Sequence, residues 1–209
     1  MNLNSALRWR YATKKFDPTR MIDEALVDSI LESGNLAATS YGLQPYQLVV
    51  LQDRDLREEL VASSFGQRQV VDASHLIVIA IRTNLNEEYI RQFIQYKEAQ
   101  RHLPAGSLTA YGEIMAAQIM GMREPARLNW AARQAYLVMG TMLAACAVAQ
   151  VDACPMEGFV ADEVNAKLNL VRLGLHAQLL LPIGYRAADD ETQFMPKVRR
   201  PLDEMVIRL

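Results

Sequence analysis

The six-residue run Leu76-Ile77-Val78-Ile79-Ala80-Ile81 constrains this 209-residue chain more than any other feature. A short, continuous apolar run rich in β-branched residues reads as a buried strand. Such a strand needs layers over it, and the rest of the sequence offers mostly helices. Asp23 can cap a helix whose apolar positions Leu26, Val27, Ile30 and Leu31 follow helical spacing, with Gly34 near its end. Gln47–Leu51 reads as a second strand, followed by a charged helix from about Asp53 to Ser63. Residues 86–101 and 107–122 read as two helices separated by Pro104-Ala105-Gly106. After Pro125 a long apolar helix runs from about Leu128 to Gln150, where Ala135, Gly140, Ala144 and Ala145 allow close packing. A helix at 161–170, a strand at Gln178–Ile183 and a short apolar strand at Met205–Leu209 complete the series. Few strands among many helices predict an α+β layered fold. No repeat and no Pro/Gly/Ser-rich linker divides residues 1–209, which predicts a single domain.

Composition narrows the class. With 51% apolar residues and a formal charge of only −2, the chain has enough surface to bury to offset its ordering entropy, which excludes disorder. The most apolar stretch, Ala135 to Ala149, is about 15 residues, short of the roughly 20 a membrane-spanning helix needs. It is expected to be a core helix, and no membrane association is expected. No apolar secretory signal is visible at the N-terminus. Cys146 and Cys154 form no CxxC or Cys/His cluster, so neither a disulfide framework nor a structural zinc site is expected, and the usage suits a reducing cytoplasm.

The charge is unevenly spread. Residues 1–20 set Arg8, Arg10, Lys14, Lys15 and Arg20 against Asp17, and residues 196–209 set Lys197, Arg199, Arg200 and Arg208 against Asp203 and Glu204. The two ends are basic and the middle is acidic. A nucleic acid normally takes a broad basic face, so no nucleic-acid partner is expected; a small anion held between the termini fits better.

Four segments could carry chemistry. Arg10-Tyr11-Ala12-Thr13-Lys14 can aim a guanidinium fork, a hydroxyl and an ammonium at one anion; taken alone it also reads as a solvated basic face. In Pro196-Lys197-Val198-Arg199-Arg200-Pro201, Lys197 and Arg199 share a side of an extended chain, although a charged loop is the simpler reading. Ala38 to Tyr46 is a polar Gly- and Pro-containing loop leading into a strand, ordinary turn chemistry unless a ligand uses it. Pro155-Met156-Glu157-Gly158-Phe159 contains a glycine that can admit a flat ligand closely, or simply turn the chain. Other chemistries lack their signatures. No G-x-S-x-G elbow, Rossmann or Walker sequence, or H-E-x-x-H spacing occurs, and His75, in Asp72-Ala73-Ser74-His75, reads as a structural hydrogen bonder.

Taken in order, R-Y-A-T-K-K-F-D-P at 10–18, Q-P-Y at 44–46, D-A-S-H at 72–75, P-M-E-G-F at 155–159 and P-K-V-R at 196–199 resemble the FMN-dependent nitroreductase family. The likeness is to its oxygen-insensitive NAD(P)H nitroreductase and dihydropteridine reductase branch, and it spans essentially the whole chain. It implies a three-layer fold with a central, mostly antiparallel sheet. It also implies an obligate homodimer with two interfacial FMN sites and a C-terminal strand, here Met205–Leu209, exchanged between subunits. Arg10, Lys197 and Arg199 would hold the phosphate, with Tyr11, Ala12 and Thr13 lining the pocket.

Lys14 would face the N1–C2=O edge of the flavin as the catalytic cation. Two-electron reduction leaves negative charge on that edge, and a unit charge about 4 Å away contributes up to roughly 4 kcal/mol at an effective dielectric of about 20. Glu157 and Gly158 would present backbone to the ring near N5, and Pro155 and Met156 would also belong to the cofactor site. Thr39 and Ser40, with Gly42 and Leu43 close behind, would come from the other subunit, and Gln134 would lie in the cofactor region.

Members often carry His-Ser where this chain has Tyr11-Ala12, and Asn-Ser where it has Gly42-Leu43. They also place an Asn and a Lys ahead of D-A-S-H, where this chain offers Gly66-Gln67-Arg68-Gln69. Either Gln67 or Gln69 could bond the pyrimidine edge. Met115, Ala116, Ile119 and Met120 would form an apolar wall for substrate. The implied activity is ping-pong transfer from NADH or NADPH through flavin N5 to nitroaromatics, quinones or pteridines. Dehalogenation or flavin breakdown on the same scaffold, and non-catalytic FMN binding, are the alternatives.

Overall fold

In the computed structural model, which describes residues 2–209, the apolar run is the body of a strand, His75–Arg82. In chain order the elements are α1 (Leu3–Trp9), α2 (Glu24–Asn35), β1 (Tyr46–Leu51), α3 (Arg54–Ser63), α4 (Gln69–Asp72) and β2 (His75–Arg82). There follow α5 (Glu87–Gln100), α6 (Thr109–Met120), α7 (Glu124–Val148), β3 (Asp152–Ala153), α8 (Ala161–Lys167), β4 (Leu175–Gly184) and α9 (Leu202–Met205). Local chemistry sets several starts. The Asp23 carboxylate accepts from the Ala25 N–H, Asp53 from Leu56 and Asn86 from Tyr89, each satisfying an orphan donor of a first helical turn.

The four strands form one antiparallel sheet in the order β1-β2-β4-β3, so β2 is hydrogen-bonded on both sides. Its two faces are covered by different helices. Val27, Ile30, Val138 and Met142 of α2 and α7 pack on Ile77, Ile79, Leu179 and Leu181. Leu60, Val70 and Val164 of α3, α4 and α8 pack on Leu76, Val78 and Leu180. Gly34 lets α2 cross α7 closely, since a Cβ there would fall 2.8 Å from the Met142 sulfur. Helices α5 and α6 make a separate hairpin whose Ile90, Ile94, Met115 and Ile119 close over Leu43.

Several expectations change. The long helix begins at Glu124 rather than near Leu128, because Pro125 falls in the first turn, where its missing N–H is no loss. The helix expected over 161–170 stops at Lys167, and Asn169 turns left-handed at φ 53°. Strand β3, two residues long, carried no periodic signal. Met205–Leu209 is not a strand in this chain: Pro201 leads into α9, whose first turn carries Asp203 and Glu204, and residues 206–209 are exposed without regular structure. Met115 and Ile119 are fully buried under the α5–α6 hairpin, so they cannot form the substrate wall expected of them; only Ala116 and Met120 of that set retain any exposure.

Candidate functional site

The N-terminal motif and the P-M-E-G segment meet along one edge of the sheet. Strand β3 pairs with β4 on one side, and on its other side Ala153 bridges Ala12 in parallel, with the Thr13 N–H donating to the Ala153 carbonyl. Beyond β3 the chain stays on β4: Met156 and Leu180 exchange both main-chain hydrogen bonds, at 2.9 and 3.0 Å. Residues 10–14 and 154–158 therefore run side by side. The buried Cys154 thiol lies within the fields of Lys14 and Arg10; burial pushes it up, and the two cations pull it only partly back.

Two buried carboxylates fix this edge. Asp190 accepts from the Tyr11 hydroxyl at 2.9 Å, the Lys14 N–H at 2.8 Å, the Lys15 N–H at 3.2 Å and the Thr192 N–H at 3.1 Å. Burial alone would raise its pKa, but these donors more than offset it and hold the carboxyl below its usual range. Burial, and then the same contact, raises the Tyr11 hydroxyl well above its ordinary value. Asp152 accepts from the Arg186 N–H, Nε and Nη2 at 2.9, 2.8 and 2.5 Å. The guanidinium so held lies over the rings of Trp9 and Tyr11, 4.4 and 4.6 Å from their centroids. Neither carboxylate stands out in the sequence. The signal available was an acidic pair, Asp189-Asp190, facing a basic N-terminus.

At one end of this strip three cations converge. Arg10 is lowered from its ordinary pKa by burial and then by Arg199; Lys197 is lowered by burial, then by Arg10 and Arg199. The Lys197 ammonium donates to the Leu7 and Arg10 carbonyls at the end of α1. Among the described residues no carboxylate forms an ion pair with any of the three. The Thr13 hydroxyl, fully buried, has no hydrogen-bond partner either. At the other end the main-chain N–H groups of Glu157 and Gly158 meet no acceptor among the described residues. An unmatched cationic cluster, a buried orphan hydroxyl and two free N–H donors in one strip fit an extended ligand with an anionic head and a hydrogen-bonding ring, as FMN has.

The other expected cofactor residues lie elsewhere or are already engaged. Thr39–Leu43 is carried by α7 and α6: Gln134 accepts from the Ser40 N–H at 2.8 Å, and the Tyr41 hydroxyl donates to Gln118. Gln134 also donates to the Trp130 carbonyl, so both ends of its amide are used in holding the loop. Leu43 is buried with its side chain in the α5–α6 cluster, whereas Gly42 is exposed and the Thr39 hydroxyl is buried without a partner. Among the described residues no hydrogen bond joins this loop to residues 10–14.

Gln67 bridges two loops, donating to the Ser64 and Gly158 carbonyls at 3.0 and 2.8 Å, and a Cβ on Gly158 would come 3.1 Å from that amide nitrogen. Gly158 thus serves close approach rather than an unusual backbone angle. Gln69 is buried in the first turn of α4, and Pro155 and Glu157 are exposed. The two cysteines are free and buried. His75 is fully buried between the Ser74 hydroxyl and the Gln52 amide, the structural role expected of it.

Comparison with known proteins agrees with this architecture. The model of the Nitroreductase family matches residues 7–185. A Staphylococcus saprophyticus protein provisionally named an NAD(P)H nitroreductase is 32% identical over 210 residues, covering 96% of this chain and 94% of that one. A Bacillus subtilis crystal structure, provisionally assigned as a nitroreductase, superposes with a TM-score of 0.87 at 21% identity, covering 99% of this chain and 98% of that one. A structure from Exiguobacterium sibiricum, with the same provisional assignment and in complex with FMN, gives a TM-score of 0.83 at 19% identity, covering 100% and 98%. At those identities the solved structures establish the fold.

Proposed function

Because this chain belongs to the nitroreductase family, we propose that it is an FMN-dependent NAD(P)H oxidoreductase acting on nitroaromatics, quinones or pteridines. The observation that carries this reading is the strip of unspent donors on the sheet edge, at positions where an FMN-bound structural neighbour shares the fold. FMN, when bound, would supply two-electron transfer from NAD(P)H to an acceptor that follows on the same face, a ping-pong order.

The chain's own residues hold, orient and polarise. Arg10, Lys197 and Arg199 neutralise the phosphate, each charge-assisted hydrogen bond contributing about 1.5–3 kcal/mol. Lys14, exposed and carried on amides fixed by Asp190, sets its ammonium at the pyrimidine edge, where it favours the electron-rich state. The free N–H groups of Glu157 and Gly158 would hold and orient the ring.

A homodimer completes the site in this reading. The Thr39–Leu43 loop is built rigidly but is not bonded to residues 10–14, as expected if it serves a second copy's flavin. The apolar side chains Leu3, Leu7, Leu137 and Val148 are exposed on α1 and α7, a face suited to burial against that copy. Met205–Leu209 would add to the partner's sheet, where β1 offers a free edge. Two free buried cysteines suit a cytoplasmic location.

Reconstitution with FMN followed by anaerobic reduction tests the assignment. The wild-type protein is expected to hold the flavin, and Lys14→Ala to reduce it at least 10-fold more slowly. Equal reduction rates would remove Lys14 from the mechanism, and a protein that takes up no FMN would contradict the whole reading.

A further inference from the structure

Asp190 lies beyond residues 7–185, the part of the chain that matches the family model, and no motif in the sequence singles it out. Yet it is the most heavily hydrogen-bonded carboxylate on the site edge, 1% exposed and accepting four bonds, three of them from Tyr11, Lys14 and Lys15. Its neighbour Asp189 makes a useful contrast: it pairs only with the exposed Lys15 ammonium at 2.9 Å, and both side chains are largely in water. Two adjacent carboxylates of equal charge thus do different things, one holding main chain and the other decorating the surface.

Resting on the FMN reading above, we infer that Asp190 is the positioning residue of the site: it clasps the Lys14–Lys15 main chain and the Tyr11 hydroxyl so that Lys14 faces the flavin in a fixed geometry. The clasp has two sides. Asp190 holds the amides of Lys14 and Lys15, while Lys197, seven residues further on, grips the Leu7 and Arg10 carbonyls at the end of α1. The loop between them, Tyr11 to Thr13, is further fixed by Arg186 stacked on Tyr11 and by the Ala12–Ala153 bridge. The segment from Asp190 to Lys197 thereby preorganises a binding loop at the opposite end of the sequence. A cation acts on a ligand's charge only from a fixed distance, so the ordering of Lys14 is what Asp190 contributes.

The sign of one measurement separates this role from a simple charge effect. Removing a nearby negative charge would by itself make the bound flavin easier to reduce and raise its midpoint potential. Releasing Lys14 from its position would make it harder to reduce and lower that potential. The experiment compares wild type, Asp190→Asn, Asp189→Asn, Lys14→Ala and the Asp190→Asn/Lys14→Ala pair. FMN dissociation is read by fluorescence titration, the midpoint by anaerobic dye equilibration, and the Lys14 and Lys15 amides by hydrogen exchange without flavin.

Expected for Asp190→Asn are at least 10-fold weaker FMN binding, a lower midpoint and at least 10-fold faster exchange at those two amides. Asp189→Asn is expected to leave binding and exchange unchanged, and Asp190→Asn, once Lys14 is gone, to lose its lowering effect and leave only the direct charge effect, an unchanged or slightly raised midpoint. Tyr11→Phe, which removes a single donor, should move binding and exchange the same way by less, and it decides the matter if Asp190→Asn does not fold. A raised midpoint for Asp190→Asn alone, the same shift with and without Lys14, or unchanged amide exchange overturns the inference. Failure of the wild type to bind FMN overturns the cofactor reading instead, and the exchange result then decides on the clasp alone.

Discussion

Residues 10–16 and residues 198–209 carry the basic ends of one chain, and the fold treats them in opposite ways. The first segment is pinned at nearly every position: Ala12 on Ala153, Lys14 and Lys15 on Asp190, and Phe16, buried, bridging to Arg186. The second is exposed throughout, and its hydrogen bonds are local, such as Arg199 to the Val198 carbonyl and Glu204 to Asp203. Charge of the same sign therefore says little about equal role. One end is preorganised by its own chain; the other carries exposed Val198, Leu202, Ile207 and Leu209, which only a further surface can bury.

Deleting residues 200–209 is the strongest way to break this comparison. The truncated chain is expected to become monomeric by light scattering and to lose FMN, whereas a truncated dimer with normal FMN content would show the tail to be dispensable. Next in size, Arg10→Ala should weaken FMN binding about 10- to 100-fold, the equivalent of one charge-assisted hydrogen bond, with little change in thermal stability.

A third test concerns α6, where burial and exposure alternate on one short helix. Met115→Ala should cost about 2–5 kcal/mol of stability by denaturant titration, as a buried large-to-small change does. The exposed Ile114→Ala should cost under about 0.5 kcal/mol.

The smallest effect is expected from pH. Burial lowers the pKa of His75, Glu24 partly restores it, and Arg57 lowers it further. Below about pH 6.5 the unfolded chain therefore takes up a proton that the folded chain resists, and stability falls as the pH drops. His75→Gln should flatten that part of a melting-temperature profile measured from pH 7.5 to 5.5.

These contrasts also show what the sequence made legible. Strand β2 and helices α2, α3 and α5 were readable because their signals are local: a continuous β-branched run, a capping Asp23 before a periodic stretch, a charged run, and a Pro-Ala-Gly break. Helix α6 was readable as a helix but not in its facing, since Ile114, Met115, Ala116, Ala117, Ile119 and Met120 surround it with apolar side chains and leave no stripe to choose. Strand β3 depends on tertiary partners, with Asp152 committed to Arg186 more than thirty residues away. The basic members of the site were visible as motifs, but nothing local showed that Gln67 and Gln134 also hold the loops around Gly158 and Ser40. Asp190 was invisible for the same reason in reverse: a loop aspartate has no local pattern, and its four donors come together only in the fold.

The most direct test is anaerobic addition of NADH or NADPH to the FMN-loaded protein while flavin absorbance is followed. The flavin band is expected to bleach with at least one of the two nucleotides and to return when a nitroaromatic or quinone is added. Bound flavin that neither nucleotide reduces would contradict the assigned function.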